Sequence, residues 1–320
     1  MRDIATDIKI LQDETINNLK SSKSANTLRA YKSDFRDFSL FCIKHELQSI
    51  PSNPNTVSIY LTYLSKSEAK MSTLRRRLVS IGAVHKLKGH YLDIKHPIII
   101  ENLLGIKRSK GSIQIGKKPI LINHLQKIVE VINNDISPEI KKFRDKSLIL
   151  IGFSGGFRRS EITSLDFEDF EFVEEGLKIL VRRSKTDQYG EGHLKGIPYF
   201  ANSQLCPVRS LKEWINISNI RSGPIFRRFH KGFVLSHQRL SDQSVALLIK
   251  SYLNLAGMDS KSYSGHSLRS GFATVTAEAG ADERSIMAMT GHKTTEMVRR
   301  YIKEANVFKN NALNKVNKLF

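Results

Sequence analysis

G-H-S-L-R at Gly265 to Arg269, then G-H at Gly291 and His292, then R-R-Y at Arg299 to Tyr301 form the stretch that decides how this chain is read. On a helix, His266 and Arg269 project from one face because they are three residues apart. An arginine fork can hold the two nonbridging oxygens of a phosphodiester, which gain charge as a nucleophile adds. Tyr301, nine residues after His292, is a nucleophile for that phosphorus. Its hydroxyl, with an ordinary pKa of about 10, needs a base or strong positive charge to react near neutral pH. Taken singly, these residues have ordinary readings: a C-terminal tyrosine packs, an H-x-x-R pair on a basic protein is solvated, and a glycine ends a helix. Their order is what points to chemistry on phosphorus.

Composition points the same way. The chain has 51 Lys and Arg against 31 Asp and Glu, a formal charge of +20 over 320 residues. Such an excess favours a polyanionic partner, nucleic acid first, whose phosphates supply most of the affinity. A membrane surface is the competing partner, but no apolar run approaches the roughly 18 residues needed to span a bilayer. No secretion signal is visible at Met1 to Lys9. Cys42 and Cys206 are far apart and outside any C-x-x-C pattern, which argues against structural zinc or a disulfide framework and makes the cytoplasm the expected location.

The length predicts two domains. Leu28, Tyr31, Phe35, Phe38, Phe41 and Cys42 recur at helical spacing between residues 24 and 46, with Asn26 or Thr27 as the expected cap. Further helices are expected at about Asn55 to Leu64 and Ser72 to Leu87, so residues 1–106 read as a small helical bundle. Residues 107–118, with five basic side chains, no acid and two glycines, read as an exposed linker, and 119–320 as a second domain. There, helices are expected around Leu125 to Ile132, Phe143 to Phe153, Val208 to Ile217, Ser244 to Ala256, Gly271 to Ala279, Asp282 to Met289 and Glu296 to Lys303. Phe170 to Val173, Leu177 to Arg182 and Gly196 to Phe200 read as a small antiparallel sheet among them. The fold class is therefore mainly α with a small antiparallel β-sheet.

One arginine rarely holds a reacting phosphate alone. A second lies in G-G-F-R-R-S-E-I, Gly155 to Ile162, where a glycine turn precedes a helix N-terminus that itself favours anions. Arg158 and Arg159 compete for the role, and the apolar pattern does not separate them. The leaving sugar oxygen needs a proton, and Lys185, at the expected tip of the hairpin in R-S-K-T-D-Q, is a candidate acid. Gly111 to Lys118 spells G-x-x-x-x-G-K-K but lacks the Ser or Thr of a phosphate-binding P-loop and has no strand before it. No H-E-x-x-H or spaced His and carboxylate cluster suggests a metal.

S-G-G-F-R-R-S-E-I (Ser154 to Ile162), V-R-R-S-K-T-D-Q (Val181 to Gln188), C-P-V-R-S-L-K-E-W (Cys206 to Trp214), G-H-S-L-R-S-G-F-A-T (Gly265 to Thr274) and T-G-H-K-T-T-E-M-V-R-R-Y-I (Thr290 to Ile302) together resemble the tyrosine recombinase, or phage integrase, family. The resemblance implies a helical core-DNA-binding domain followed by an α+β catalytic domain. It makes Arg158, rather than Arg159, the first catalytic arginine. Lys185 becomes the hairpin lysine, His266, Arg269 and His292 the other activators, and Tyr301 the nucleophile. Glu161 falls where the family often has an acidic residue that orients the site, and Arg159 departs from the commoner apolar residue.

In the first domain, T-L-R-A-Y-K-S-D-F (Thr27 to Phe35) and S-T-L-R-R-R-L (Ser72 to Leu78) are similar to the family's core-binding helices. Lys70, Ser72, Arg75, Arg76, Arg77, Lys107 and Arg108 are the expected DNA contacts. No separate arm-binding module is expected before Ser24. By the same resemblance the protein is a site-specific recombinase using neither metal nor ATP, acting on double-stranded DNA as a homotetramer. Its terminal amphipathic segment, Asn306 to Phe320, would dock on a neighbouring protomer. Two other readings use the same residues: a type IB topoisomerase that religates its own break, and a DNA-binding module whose catalytic residues are relics.

Overall fold

The computed structural model describes residues 4–111, 116–182, 191–201 and 203–305. They divide into two compact units, Met1–Ile115 and Gly116–Phe320. Lys185 and the terminal segment from Asn306 lie outside the described residues.

The first unit is helical: α1 (Ile4–Ser21), α2 (Ala25–Lys44), α3 (Pro54–Lys66), α4 (Met71–Leu87) and α5 (Pro97–Lys110). Ser24, not Asn26 or Thr27, caps α2, accepting the Thr27 amide at 3.2 Å. Asn53 does the same for α3, with Pro54 supplying a first helical residue that needs no amide. Phe38, Tyr60, Leu74, Ile81 and Ile99 lie in the core where α2 to α5 meet. Two features differ from expectation. α1 precedes the bundle, its apolar Ile8, Ile10 and Leu11 largely exposed. α5 carries its apolar stripe Ile99, Leu103 and Ile106 onward through Lys110, so Lys107 and Arg108 belong to its last turn and not to a linker. Basic side chains there also suit the negative end of the helix dipole.

The second unit surrounds α7 (Glu139–Ser154), which follows α6 (Ile122–Asn134) and whose run Ser147 to Ser154 is buried on every side. Next come α8 (Arg159–Ser164) and a three-stranded antiparallel sheet in the order β1 (Phe170–Phe172), β2 (Gly176–Val181), β3 (His193–Pro198). In the β2–β3 ladder Leu177 faces Ile197 and Ile179 faces Lys195. Leu177, Ile179, Val181 and Ile197 point into the core, as the two-residue period requires, and so does Lys195. Helix α9 (Pro207–Ser218) buries Trp214, whose indole donates to the Ile225 carbonyl at 2.9 Å. A second hairpin follows, β4 (Arg227–Phe229) with β5 (Leu235–Arg239), which sequence periodicity did not mark because its residues are few and polar. Helices α10 (Asp242–Leu255), α11 (Ser267–Glu278), α12 (Glu283–Thr290) and α13 (Thr295–Ala305) complete the described chain. Tyr301 and Ile302 pack against a small separate cluster of Ala273, Ala277, Ile286 and Val298 that joins α11, α12 and α13.

Candidate active site

Three turns deliver the site. The first is the end of α7, where Gly156 adopts φ +56°, a left-handed conformation open to glycine at little cost, and turns the chain into Arg158 and α8. The second is the start of α11, with His266 at its N-cap and Arg269 in its first turn. The third is the end of α12, where Gly291 at φ +61° is the left-handed C-cap that turns His292 inward. Arg158, His266, Arg269 and His292 thereby line one cleft of about 720 Å³, with Arg159 and Lys250 on its wall.

Arg158 is fixed by Glu161. The carboxylate accepts the Arg158 backbone amide at 2.9 Å and its guanidinium at 2.5 Å, and a second guanidinium nitrogen is 3.5 Å from the Gly291 carbonyl. Burial alone would raise the Glu161 carboxyl, but the bonds and charge from Arg158 hold it below the usual carboxylate range. Arg159, by contrast, is exposed and lies across Gly265, where an added Cβ would fall 2.0 Å from its Cδ. The geometry thus separates the two arginines that sequence periodicity left equal.

Arg269 is fully buried, at 0% exposure, and donates from Nη1 to the Gly156 carbonyl at 2.8 Å. Its Nε and Nη2 have no hydrogen-bond partner among the described residues. Burial lowers the guanidinium to about 10, so it remains charged at neutral pH. Each buried unpaired donor costs on the order of 1–3 kcal/mol, which makes this arginine half of an anion site. His266 has the accessible area of an exposed residue, but protein atoms crowd the imidazole. That crowding, then the charges of Arg269 and Arg158, lower its pKa below the ordinary histidine value.

His292 is buried, and burial, then Arg269 and Arg158, push it down to about 4, so it is neutral at physiological pH. Its tautomer follows from Thr290. That hydroxyl spends its only proton on the Ile286 carbonyl at 2.6 Å, so toward His292 Nδ1, 2.8 Å away, it must accept. Nδ1 therefore carries the ring proton and Nε2 a lone pair. The His292 and Tyr301 rings stack, with centroids 6.3 Å apart and an interplanar angle of 24°. Tyr301 is also near enough to support the charge on Arg269. Of the six expected catalytic residues, five are brought together and Lys185 lies outside the described residues.

The expected DNA contacts of the first unit divide. Lys70, Ser72, Arg75, Lys107 and Arg108 are exposed. Arg76 is half exposed and paired with buried Asp34. Arg77 has a different place: Nη1 bonds Asp37 at 2.6 Å and the Tyr60 hydroxyl at 3.1 Å, and Nε lies 3.3 Å from Asp34, tying α4 to α2 and α3. Sequence reading also missed two residues beside the catalytic set, Thr290 and Lys195. Alternation back from Ile197 would have placed Lys195 inward, had the strand not been started at Gly196.

This fold and this set of side chains define a tyrosine-type recombinase. The description "Phage integrase family" matches residues 120–306, and "Phage integrase, N-terminal SAM-like domain" matches residues 15–89. The chain belongs to the phage integrase family and is a DNA strand-exchange enzyme. It is 40% identical over 301 residues to the integrase/recombinase xerD homolog of Selenomonas ruminantium, covering 93% of this chain and 87% of that one. It is 25% identical to tyrosine recombinase XerC of Syntrophus aciditrophicus, with 89% of each chain covered. In fold it is similar to the Tn1549 transposon integrase in complex with transposon right end DNA (TM-score 0.65, 14% identity, 93% of this chain and 97% of that one). The XerH site-specific recombinase bound to a palindromic difH substrate is also similar (TM-score 0.58, 19% identity, 80% and 71%). Among the described residues, no helix is long and apolar enough to cross a membrane.

Proposed function

We propose that this recombinase breaks and rejoins specific sites in double-stranded DNA through a covalent link on Tyr301, without metal or nucleotide. The supporting observation is the buried Arg269 guanidinium, with two N–H groups unpaired beside Arg158 and two neutral histidines. In the cleavage step the Tyr301 oxygen attacks the scissile phosphorus while neutral His266 takes its proton. Arg158 and Arg269 hold the nonbridging oxygens as charge builds. The P–O bond to the 5′ oxygen breaks, and Lys185 supplies that oxygen with a proton. A 3′-phosphotyrosyl link and a free 5′-hydroxyl result. Attack by the 5′-hydroxyl of a partner strand reverses each transfer, and two rounds pass through a Holliday junction. The phosphodiester energy is kept in the tyrosyl link, so nothing else need drive rejoining. The assembly is a cytoplasmic homotetramer on DNA, with residues 306–320 docked on a neighbouring protomer.

The tautomer of His292 adds a condition. With Nδ1–H given to Thr290, Nε2 bonds a nonbridging oxygen only after the ring takes up a proton. A bound phosphate favours that uptake by offsetting the two arginine charges that oppose it. Thr290→Val keeps the side-chain shape and removes the acceptor. The His292 ring nitrogens should then show a mixture of tautomers by NMR. Strand cleavage should slow about fivefold, the worth of one hydrogen bond near 1 kcal/mol, and Thr290→Ser should restore both. An unchanged single tautomer in the valine variant rules the assignment out.

Suicide substrates drawn from DNA flanking the gene test the reading directly. They lose the 5′-hydroxyl strand after cleavage, so a covalent protein–DNA adduct should accumulate and identify the site. No adduct across the flanking DNA would refute the proposed chemistry.

A further inference from the structure

Lys195 is only 2% exposed, on the inner face of β3 between core side chains. Its Nζ donates to the Gly155 carbonyl at 2.6 Å and the Met289 carbonyl at 2.5 Å, and lies 4.2 Å from the centre of the Phe157 ring. Burying an ammonium is expensive unless it is compensated, and an aliphatic residue would fill an inward strand position without that cost. The compensation is specific. Gly155 is the C-cap of α7 and Met289 lies in the last turn of α12, so both carbonyls belong to the negative ends of helices. One cation thus closes two helix termini and faces an aromatic ring.

The termini it joins are those that carry the site. The chain runs from Gly155 through Phe157 to Arg158, and from Met289 through Thr290 to His292. A longer contact of 3.5 Å, from Arg158 to the Gly291 carbonyl, also runs between the two turns. We propose that Lys195 is a positioning residue for strand cleavage: its ammonium ties the α7 turn to the α12 turn and so holds Arg158 and His292 at the spacing one phosphate requires. This rests on the reading of the cleft as the cleavage site. It concerns geometry and not proton transfer, since both hydrogen bonds hold the ammonium to backbone.

The charged groups facing Lys195 are Glu161 on α8, Arg158 ahead of α8 and Arg269 on α11. Burial, the largest influence, lowers its pKa; Glu161 opposes this and the two arginines add to it, leaving it at about 7. The tie therefore weakens as pH rises through neutrality and the ammonium loses its charge, whereas an arginine in its place stays charged.

The test uses the full chain and the suicide duplexes that trap the wild-type protein. DNA affinity and the single-turnover rate of adduct formation at saturating DNA are measured for Lys195→Met and Lys195→Arg. Lys195→Met should keep wild-type affinity within about threefold yet cleave about a hundredfold more slowly, the scale expected of an ångström-sized misplacement. Lys195→Arg should recover most of that loss. Should the methionine variant fail to fold, the arginine variant decides alone: the wild-type rate should fall relative to it between pH 7 and about 9. A methionine variant that cleaves at the wild-type rate, one that loses affinity and rate equally, or coincident pH profiles for lysine and arginine would each overturn the inference. Failure of the wild-type protein to form any adduct would instead overturn the cleavage reading beneath it.

Discussion

Tyr301→Phe is expected to abolish covalent capture of DNA while leaving binding within about twofold of wild type. The substitution removes one oxygen and little else. The phenyl ring keeps its place against Ala273, Ala277, Ile286 and Val298, and its stack on His292 does not depend on the hydroxyl. Arg158, His266 and Arg269 stay in the cleft, so the phosphate is still held. What is lost is the atom that forms the bond to phosphorus, and no positioned water is built into the mechanism to replace it. The rate of adduct formation should drop by at least about 10⁴-fold, to background. The assay is a denaturing gel of protein with a labelled suicide duplex, run beside a native gel shift on the same DNA. An adduct that persists in the phenylalanine variant would assign the nucleophile elsewhere. A native shift lost along with the adduct would make Tyr301 a packing residue.

Much of this site was legible in the sequence because its polar residues come in short local patterns. His266 and Arg269 share one helical turn, and the left-handed glycines Gly156 and Gly291 lie within two residues of the side chains they aim. What stayed hidden depends on partners distant in the chain. Three consecutive arginines on α4 read alike as DNA contacts, and only the packing of α2 and α3 against α4 reveals that Arg77 is turned toward Asp34 and Asp37. Lys195 looks like a solvated hairpin lysine, since its acceptors are backbone carbonyls that no side-chain pattern records. The β4–β5 hairpin was missed because three-residue and five-residue strands of largely polar sequence carry no two-residue period to detect. α1 was missed for the related reason that Ile8, Ile10 and Leu11 on it face no core. For Arg77 and Lys195, contacts that span the fold account for the omission; for the hairpin and α1, it is the lack of a periodic apolar pattern set against a core.

Arg269→Met should separate folding from catalysis in a way no exposed residue can. The wild-type guanidinium is fully buried with Nε and Nη2 unpaired, a cost of roughly 1–3 kcal/mol per group that the free protein carries in advance of its substrate. Methionine fills much of the same volume without those donors, losing only the Nη1 bond to the Gly156 carbonyl. The melting temperature of the free variant should therefore match or exceed that of wild type, as it often does when a strained functional group is removed. Cleavage should nonetheless fall by at least about 10³-fold, because both buried donors act on charge that develops in the transition state. Arg269→Lys should recover little, since an ammonium on a flexible stem does not reproduce two parallel N–H groups in a fixed plane. DNA should also raise the melting temperature of wild type by more than that of the methionine variant, because only the arginine exchanges unpaired donors for phosphate oxygens. A methionine variant much less stable than wild type would mean that Arg269 chiefly supports the α7 turn. One that cleaves normally would remove it from the catalytic set.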